Sequence, residues 1–403
     1  MPNASIFSNP SDWGDSGDNH EKLATSVLSL LLTTNHKSYP SAVLNWQERF
    51  VMPFRVALIG NRAHQNTYGP IWDAREDSEI VALAEHNEVK AKVIEGQYGL
   101  PCSREYDAVL ERTDIDIVCI ATDFYLKRWL IPKAAACGKH IFADKSLART
   151  MQEARAIEAE THNSGVKIQL SYPHRYYPGY RELIRKVRSG IYQQTVSYTN
   201  HFIRQFPDVD LMTYVSYPTA ANVNGGGELM NLGSHPVDLI HHAFGMPNRV
   251  YAHFETAYWP DYYDQFGTED VVNLMCEYDT MVANVVVGRN RVSEEGSAVD
   301  SIDLWCRGIH ARAGVNTLEE NDIQQDITLP EVTGANACVQ NLIDAIVEGA
   351  PLESSIADGV AAAAITTAGY QSAASKAFVD LPLTDDRHPM IADDEQVIEG
   401  FLD

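Results

Sequence analysis

A lysine placed directly after a predicted strand is the first residue in this chain suited to chemistry. Residues 140–143 form an apolar run that predicts a buried β-strand, and Asp144 and Lys145 follow it at once. In doubly wound sheets, ligands bind at the carboxyl ends of parallel strands. A desolvated lysine at that edge can hold a hydroxyl group and share in proton transfer. Lys145 is therefore a candidate catalytic residue, and an ordinary surface lysine is the alternative.

A histidine behind a glycine-rich segment is the second candidate. The glycines at 225–227 precede a stretch that predicts helix to about residue 244. On one continuous helix, Asn231 and His235 lie four residues apart and share a face, and Asp238 lies three residues beyond the histidine. A histidine with polar partners is suited to act as a general base near neutral pH. His235 and Asn231 are therefore predicted site residues.

The same region raises the question of a metal site. It contains four residues of metal-binding types, which are His235, Asp238, His241 and His242. However, His241 and His242 are adjacent and point in different directions on a helix. No companion set of ligands is evident in the sequence, so we expect no bound metal.

The turn after the first predicted strand is a reduced form of a phosphate-binding motif. Dinucleotide-binding folds carry G-x-G-x-x-G there, because the glycines let the backbone approach the pyrophosphate at a helix N-terminus. This chain reads Gly60-Asn61-Arg62-Ala63-His64-Gln65, so the first glycine of the motif is present and the other two are not. Arg62 offers phosphate a positive charge in place of close backbone contact. The alternative is an ordinary turn between a strand and a helix.

A carboxylate follows the second predicted strand. Glu85 lies about 25 residues beyond Gly60, near the spacing of about 20 at which dinucleotide folds place an acid. Such an acid hydrogen-bonds the ribose hydroxyls and repels a 2′-phosphate, so Glu85 favours NAD over NADP. The alternative is a solvated glutamate at a strand end.

The elements that position these residues change in character along the chain. From residue 54, apolar β-branched runs alternate with helical stretches, which predicts right-handed crossovers and a parallel, doubly wound sheet. Beyond about residue 174, longer runs alternate apolar and polar residues, which predicts an antiparallel or mixed sheet with one covered face. The predicted strands are 54–60, 79–84, 115–121, 140–143, 166–171, 194–199, 250–256, 271–277 and 281–287, and the predicted helices are 125–137, 150–164, 178–189, 334–348 and 356–374.

Composition limits the classes of partner and compartment. The chain has 403 residues, with 31 Lys and Arg against 55 Asp and Glu and a net charge of −24. An acidic surface repels phosphate backbones, so nucleic-acid binding is not expected. No apolar run reaches the roughly 18 residues of a membrane span, and no basic segment precedes the short apolar run near the N-terminus. The six cysteines form no C-x-x-C pair, so we expect a cytoplasmic protein with buried, reduced thiols and no membrane contact.

Taken in order, these motifs resemble the glucose–fructose oxidoreductase / inositol dehydrogenase (Gfo/Idh/MocA) family. The resemblance runs from about residue 54 to 383 and rests on the order and spacing of the motifs more than on any one of them. The residues that carry it are Gly60, Glu85, Ala121-Thr122, Gly138-Lys139-His140, Asp144-Lys145-Ser146, Gly225-Gly226-Gly227 and Gly233-Ser234-His235 with Asp238.

The resemblance implies an α/β protein with an N-terminal Rossmann domain and a second α/β domain. We expect residues 52–173 to bind the dinucleotide. Residues 174–403 would bind substrate and, through a large open and mostly antiparallel sheet, would form a homodimer or homotetramer. Residues 1–51 differ in composition, and they are either an added arm, with a short helix at about 20–33, or the product of an upstream start.

The resemblance also implies an activity and assigns roles to further residues. Lys145 corresponds to the lysine of the family's E-K-P motif, and His235 to the histidine of its D-x-G-x-H motif. The family's substrates are sugars, cyclitols and related polyols, oxidised or reduced at a secondary hydroxyl with NAD, less often NADP. The expected cofactor contacts are Gly60, Asn61, Arg62, Glu85, Thr122, Asp144 and Lys145, and the expected substrate contacts are Tyr172, His174, Arg175, Asn231 and His235.

The chain departs from the family pattern at four motifs. Arg62 and Gln65 replace two fingerprint glycines, Asp144-Lys145-Ser146 replaces E-K-P, Thr122-Asp123-Phe124 replaces T-P-N, and Asn231 replaces the aspartate of D-x-G-x-H. An asparagine cannot accept a proton as an aspartate does. Two alternatives to a dehydrogenase therefore stay open. One is an enzyme that retains NAD and catalyses elimination or glycoside cleavage through transient oxidation, and the other is a non-catalytic, dinucleotide-sensing regulator.

Overall fold

Two β-sheets with flanking helices make up the described part of the chain. The computed structural model describes residues 53–62, 64–205, 221–290 and 299–391. The expected arm at 1–51, with its helix at about 20–33, lies outside these residues. The α/β class that the sequence predicts is confirmed.

The first sheet is parallel throughout, as predicted. Its strands are β1 (Phe54–Ile59), β2 (Ser78–Ala84), β3 (Cys102–Ser103), β4 (Ile117–Ile120), β5 (His140–Asp144) and β6 (Ile168–Ser171). They pair in the order β3-β2-β1-β4-β5-β6. The chain reverses its direction of progress between β1 and β4, which makes the carboxyl ends of these two strands the natural place for a ligand.

Helices pack on both faces of this sheet. They are α1 (Gln65–Asp73), α2 (Glu88–Tyr98), α3 (Tyr106–Leu110), α4 (Phe124–Ala136) and α5 (Met151–Thr161). Side chains of β1 point alternately to two cores: Val56 and Leu58 pack with α1 and α2, and Ala57 and Ile59 pack with α4 and α5. A strand covered on both faces is uniformly apolar, which explains why the sequence shows it as a continuous hydrophobic run.

The second sheet is mostly antiparallel, as predicted. Its strands are β7 (Thr195–Gln205), β8 (Arg249–Glu255), β9 (Val271–Glu277), β10 (Val282–Asn290), β11 (Val299–Cys306), β12 (Ile309–Ala313), β13 (Leu318–Glu320), β14 (Ile323–Gln324) and β15 (Val379–Asp380). Their order is β14-β13-β12-β11-β7-β10-β9-β8-β15, and only the β7–β10 pair is parallel among these described strands. In β9, Val272, Leu274 and Cys276 are buried while Asn273 and Met275 are exposed, so one face is covered.

The remaining helices follow β6 in the chain. They are α6 (Pro178–Arg188), α7 (Ala221–Asn224), α8 (Glu228–Asn231), α9 (Ser234–Phe244), α10 (Pro260–Tyr263), α11 (Gly334–Val347) and α12 (Ile356–Ser375). The long helix α12 begins at a capping box of Ser355 and Asp358 and packs against both α5 and β8. It approaches β6 so closely that a Cβ on Gly359 would lie 2.5 Å from the Leu170 side chain. This helix therefore links the two sheets.

The structure corrects one predicted element. The stretch that leads to residue 244 is two helices rather than one, because α8 ends at Asn231 and α9 begins at Ser234. The expectation that Asn231 and His235 lie on one continuous helix is therefore wrong.

Three findings concern other sequence expectations. Within the described ranges, no helix is long and apolar enough to cross a membrane. In the same ranges, no group of three or more His, Cys, Asp or Glu side chains is placed to hold a metal ion. All six cysteines are free, and four of them are buried: Cys119, Cys276, Cys306 and Cys338.

Candidate active site

Lys145 lies where the sequence predicts it, directly after β5 at the carboxyl edge of the parallel sheet. The side chain is only 1% exposed. Its Nζ donates hydrogen bonds to the backbone oxygen of Asn231 and, at 3.2 Å, to Asn231 Oδ1. The structure therefore brings together two predicted site residues, one following β5 of the first sheet and one in α8, between strands β7 and β8 of the second.

The environment of Lys145 lowers the pKa of its ammonium group toward neutral pH. Burial lowers the pKa of the ammonium from 10.5 to about 8, and the charge of Arg62 acts in the same direction. The carboxylates of Asp144 and Glu228 oppose the shift. A lysine with a pKa of about 8 can both donate hydrogen bonds as a cation and exchange a proton at physiological pH.

The carboxylate of Asp144 is fully buried beside Lys145. It accepts hydrogen bonds from His64 Nδ1 at 2.9 Å and from the Tyr68 hydroxyl at 2.8 Å. Burial alone would raise the pKa of Asp144, but His64 and the neighbouring lysines outweigh it and hold that pKa below its usual value. Asp144 is therefore an anion that anchors the end of β5, and its contacts come from α1 and the turn before it.

A second buried lysine supports the same segment. Lys127 on α4 is fully buried, and its Nζ donates to the backbone oxygens of Asp144 at 2.6 Å and Ser146 at 2.7 Å. Burial lowers the pKa of Lys127 to about 7. Sequence reasoning did not select Lys127, although a lysine within the apolar stretch of a predicted helix was a usable signal.

His235 lies at the start of α9 with its ring 8% exposed. The ring stacks on that of His174, with centroids 4.4 Å apart and planes 8° from parallel, and Phe202 packs edge-on against both. Burial, then the charges of His174 and Lys145, hold the pKa of His235 well below 6.5. The imidazole is therefore neutral at pH 7.

The stacked pair contains buried polar atoms that lack a hydrogen-bond partner among the described residues. Among the described residues, neither His235 Nδ1 nor His174 Nδ1 has a hydrogen-bond partner, and both atoms are buried. The hydroxyl of Tyr172, just after β6, is likewise buried and lacks a partner within those residues. Buried polar atoms are normally satisfied, so such a group of exceptions favours a ligand site.

Asn231 and Asp238, the predicted polar partners of His235, form hydrogen bonds with other residues. This is a second correction to the sequence prediction. Asn231 contacts Lys145, as described above. Asp238 accepts hydrogen bonds from Arg175, whose Nε is 2.8 Å from the Asp238 carboxylate. The ring of His174, and not a carboxylate, is the close neighbour of His235.

Arg175 is therefore occupied by an internal ion pair. Its guanidinium also donates to Asp358 on α12 at 2.9 Å, and the side chain is almost completely buried. The contacts hold the 3₁₀ turn Pro173–Tyr176 against α9 and α12. This geometry favours a structural role for Arg175 over the expected contact with substrate.

The Gly60 turn lies at the switch point between β1 and β4. Gly60 has φ of +83°, and a Cβ there would come 2.4 Å from the Thr122 side chain and 2.7 Å from the Ala121 oxygen. The turn is pinned to both neighbouring strands, because Gly60 N donates to Ala84 O and Arg62 N donates to Ala121 O. Glycine is required at this position both for the backbone conformation and for the close approach.

Glu85 lies beside this turn at the end of β2. Its two carboxylate oxygens accept the backbone N–H groups of Asn61 at 2.7 Å and Asn87 at 2.8 Å. Each oxygen has a further lone pair that can accept from a ribose hydroxyl. The glycine turn, with an acid fixed next to it, thus fits a dinucleotide at the edge where the sequence predicts one.

Arg62 occupies the position of the second fingerprint glycine. Its guanidinium lies 3.3 Å from the Asp123 carboxylate and packs 4.5 Å over the Phe124 ring. A second cation is close by, since Lys90 Nζ is 3.9 Å from the same carboxylate. Two positively charged side chains therefore lie beside the turn in place of the missing glycines. Both of them also contact the Asp123 carboxylate, which offsets part of their charge.

Comparison with protein families agrees with this arrangement. The model described as "Oxidoreductase family, NAD-binding Rossmann fold" (GFO_IDH_MocA) matches residues 54–172. The model of the GFO/IDH/MocA C-terminal domain matches residues 180–306. The two matches follow each other in the chain and together cover more than half of it.

Curated relatives act on sugars or sugar derivatives by name. Levoglucosan dehydrogenase of Pseudarthrobacter phenanthrenivorans is 24% identical over 210 residues, covering 50% of this chain and 54% of the relative. A dTDP-3,4-didehydro-2,6-dideoxy-alpha-D-glucose 3-reductase of Actinomadura kijaniata is 26% identical over 188 residues, covering 46% and 54%. The matched region thus spans about half the length of these relatives.

Solved structures match over a longer part of the chain. The aldose-aldose oxidoreductase of Caulobacter crescentus, complexed with glycerol, has a TM-score of 0.70 at 21% identity and covers 82% of this chain and 100% of its own. Levoglucosan dehydrogenase in complex with NADH and levoglucosan has a TM-score of 0.69 at 20% identity, with the same coverage. At these identities the likeness establishes the fold. With both family models matched in order, the chain belongs to the Gfo/Idh/MocA family, and its first sheet is that of an NAD-binding Rossmann domain.

Proposed function

We propose that this protein is an NAD(P)-dependent oxidoreductase that acts on a secondary hydroxyl of a sugar, cyclitol or related polyol. The observation that carries the proposal is the pairing of a buried lysine of lowered pKa, Lys145, with a neutral, buried histidine, His235, at the ligand-binding edge of the parallel sheet. The dehydrogenase and reductase names of the relatives support the same class of reaction.

The cofactor would be held at the switch point between β1 and β4. The Gly60 turn, with Asn61 and the guanidinium of Arg62, would hold the pyrophosphate, and Glu85 would bind the ribose and favour NAD over NADP. Thr122 follows β4, Asp144 ends β5 and Lys145 comes directly after it. These three residues would face the nicotinamide ring of the cofactor. Bound NAD supplies the hydride acceptor for this chemistry.

The protein's own residues would carry the proton and the charge. Neutral His235 would accept the proton of the substrate hydroxyl as hydride leaves the carbon that bears this hydroxyl. Protonated Lys145 donates a hydrogen bond to that oxygen and stabilises the negative charge that develops on it. His174 and Tyr172, whose polar atoms lack partners in the described residues, would bind other hydroxyls of the substrate.

Turnover on a polyol panel tests this assignment. We expect His235→Ala and Lys145→Ala each to lower kcat/KM by about 10²-fold or more, because each removes a group that acts on the reacting oxygen. His253 is an exposed histidine on β8, so His253→Ala is the matched control and should retain full activity. Full turnover in both active-site variants on the true substrate would overturn the proposal.

The same preparation distinguishes the alternatives. A dehydrogenase accumulates free NADH with product, whereas an enzyme that oxidises its substrate transiently forms product without free NADH. Binding of NAD without turnover on any polyol would favour a regulator. Native mass spectrometry reports a co-purifying dinucleotide, and it also measures the expected homodimer or homotetramer, for which exposed Met275 and Trp305 on the second sheet offer contact surface.

A further inference from the structure

A buried carboxylate outside the predicted site lies within reach of Lys145. Glu228, at the start of α8, is 0% exposed. One of its oxygens, Oε1, accepts hydrogen bonds from the Tyr263 hydroxyl and from Arg289 Nε. The other oxygen, Oε2, accepts from the side-chain amide of Asn231 at 3.3 Å. Glu228 is therefore an ion-paired carboxylate that also points at a predicted site residue.

Asn231 connects this carboxylate to the candidate catalytic lysine. Its amide oxygen accepts from Lys145 Nζ at 3.2 Å, and its amide nitrogen donates to Glu228. The orientation is fixed by chemistry, because an ammonium group is only a donor and a carboxylate is only an acceptor. The amide dipole therefore lies between the two charges with its negative end toward the lysine.

Replacement of the family's aspartate by Asn231 thus removes a carboxylate next to Lys145, while a carboxylate remains one helical turn earlier. We propose that Glu228 is the positioning residue for Lys145, and that it supplies through Asn231 the negative charge that an aspartate at position 231 would supply directly. The proposal rests on the proposed function for its catalytic meaning. Its structural content is the order Lys145, Asn231, Glu228, Arg289.

A purely structural role is the competing explanation, since Glu228 also balances the buried charge of Arg289. The two explanations differ in what they predict for Lys145. If Glu228 acts on Lys145, neutralising the carboxylate must make the lysine lose its proton more readily. If Glu228 serves only Arg289, removing both charges together in Glu228→Gln/Arg289→Met must leave the protonation of Lys145 as it is, whereas the pKa must still fall if Glu228 acts on Lys145.

Titration of Lys145 in the folded protein separates the two explanations without cofactor or substrate. Lysines labelled with ¹³C at Cε are followed by NMR against pH, and Lys145→Met identifies the signal. In Glu228→Gln we expect the pKa of Lys145 to fall by about one unit, a tenfold change in its protonation equilibrium. Adding Asn231→Asp to Glu228→Gln should return the pKa toward its original value, because the carboxylate is then adjacent to the lysine.

Glu269→Gln is the matched control. Glu269 is equally buried in the same region, but its oxygens accept from the backbone of Gly227 and Leu229 and from Tyr370, not from Asn231. This variant should leave the titration of Lys145 unchanged. Equal shifts in Glu228→Gln and Glu269→Gln, or no shift in Glu228→Gln, would overturn the proposal.

Folding failure does not remove the test. Should Glu228→Gln alone fail to fold, the double variant Glu228→Gln/Asn231→Asp restores a carboxylate between Lys145 and Arg289, and it must fold and titrate as the original protein does. An unfolded double variant would also overturn the proposal. If turnover is found, the alkaline limb of kcat/KM should move to lower pH in Glu228→Gln by the same amount as the NMR titration. Absence of any turnover would refute the proposed activity and leave the NMR result intact.

Discussion

At the scale of single residues, the two candidate catalytic groups hold opposite protonation states near pH 7. The pKa of Lys145 is lowered to about 8, so this side chain is mainly a cation below that pH and mainly neutral above it. The pKa of His235 lies well below 6.5, so its ring is neutral throughout the physiological range. In the reaction that we propose, this pattern favours His235 as the base and Lys145 as the stabilising charge.

The assignment predicts the pH dependence of oxidation. We expect kcat/KM to stay level between about pH 6 and 7.5 and to fall as pH rises through about 8, because Lys145 loses its charge there. Lys145→Arg should keep some activity and lose the alkaline limb, since a guanidinium stays protonated at all these pH values. Lys133→Arg, at a partly buried position on α4 where the side chain pairs with Asp107 and Glu111, is the control. A rate that instead rises through pH 8 would make neutral Lys145 the base and refute the assignment.

Sequence reasoning found the groups that follow strand and helix signals and missed those that depend on tertiary contacts. Lys145 and His235 were selected by residue type and by their place after a predicted element. Glu228 follows the glycines without any signal of burial, and its partner Arg289 is 61 residues away. The protonation state of His235 also could not be read from the sequence, because it depends on burial and on the ring of His174.

At the scale of elements, apolar runs predicted five of the six parallel strands because both faces of that sheet are covered, and they missed the two-residue strand β3. The break between α8 and α9 was missed because the spacing of Asn231, His235 and Asp238 also suits one continuous helix. Strands β11 to β14 were not predicted, since polar and charged residues such as Asp303 and Arg312 occupy their uncovered positions.

The 3₁₀ turn after β6 supplies a stability prediction at this scale. Arg175 joins that turn to Asp238 on α9 and Asp358 on α12. Removing one partner of a buried ion pair costs about 3–5 kcal/mol, so Arg175→Met should lower the free energy of unfolding by about that amount. Urea denaturation at pH 7 measures it. Arg181→Met, which breaks an exposed pair with Glu353, should cost less than about 1 kcal/mol.

The pH at which Arg175→Met is measured should alter the loss. Burial raises the pKa of Asp238 to about 6 even with Arg175 present, so its carboxyl becomes neutral in acid. A neutral buried carboxyl needs no cation, and the variant should therefore be less impaired at pH 5 than at pH 7. An unchanged stability with a raised KM would instead return Arg175 to the substrate site.

At the scale of the whole molecule, the contact of Lys145 with Asn231 ties the edge of the first sheet to α8, which lies between strands β7 and β8 of the second. Helix α12 makes a further link, because it packs on both α5 and β8. A cofactor and substrate bound at this edge as we propose would touch residues contributed by both parts of the chain. Cofactor binding should therefore stabilise the described unit as a whole and not the first sheet alone.

Because a bound cofactor should stabilise the folded protein, the size of that stabilisation can be used to compare NAD with NADP. A ligand at about 100 times its Kd raises the free energy of unfolding by about 2.7 kcal/mol, so NAD at that excess should produce a stabilisation of this size. NADP at the same concentration should stabilise less, by about 1.4 kcal/mol for each tenfold loss of affinity, because the Glu85 carboxylate repels its 2′-phosphate. Urea denaturation with each cofactor measures the difference.

Glu85→Gln tests the cause of that preference, since it removes the charge, although its single amide oxygen can accept only one of the two backbone N–H groups, that of Asn61 or that of Asn87. We expect the stabilisation by NADP to approach that by NAD in this variant. Glu79→Gln, at an exposed position of the same strand β2, should leave the preference as it was. Equal stabilisation of the original protein by both cofactors would show that Glu85, although fixed beside the Gly60 turn, does not face the ribose. In that case its carboxylate only secures the turn, through the two N–H groups that it already accepts.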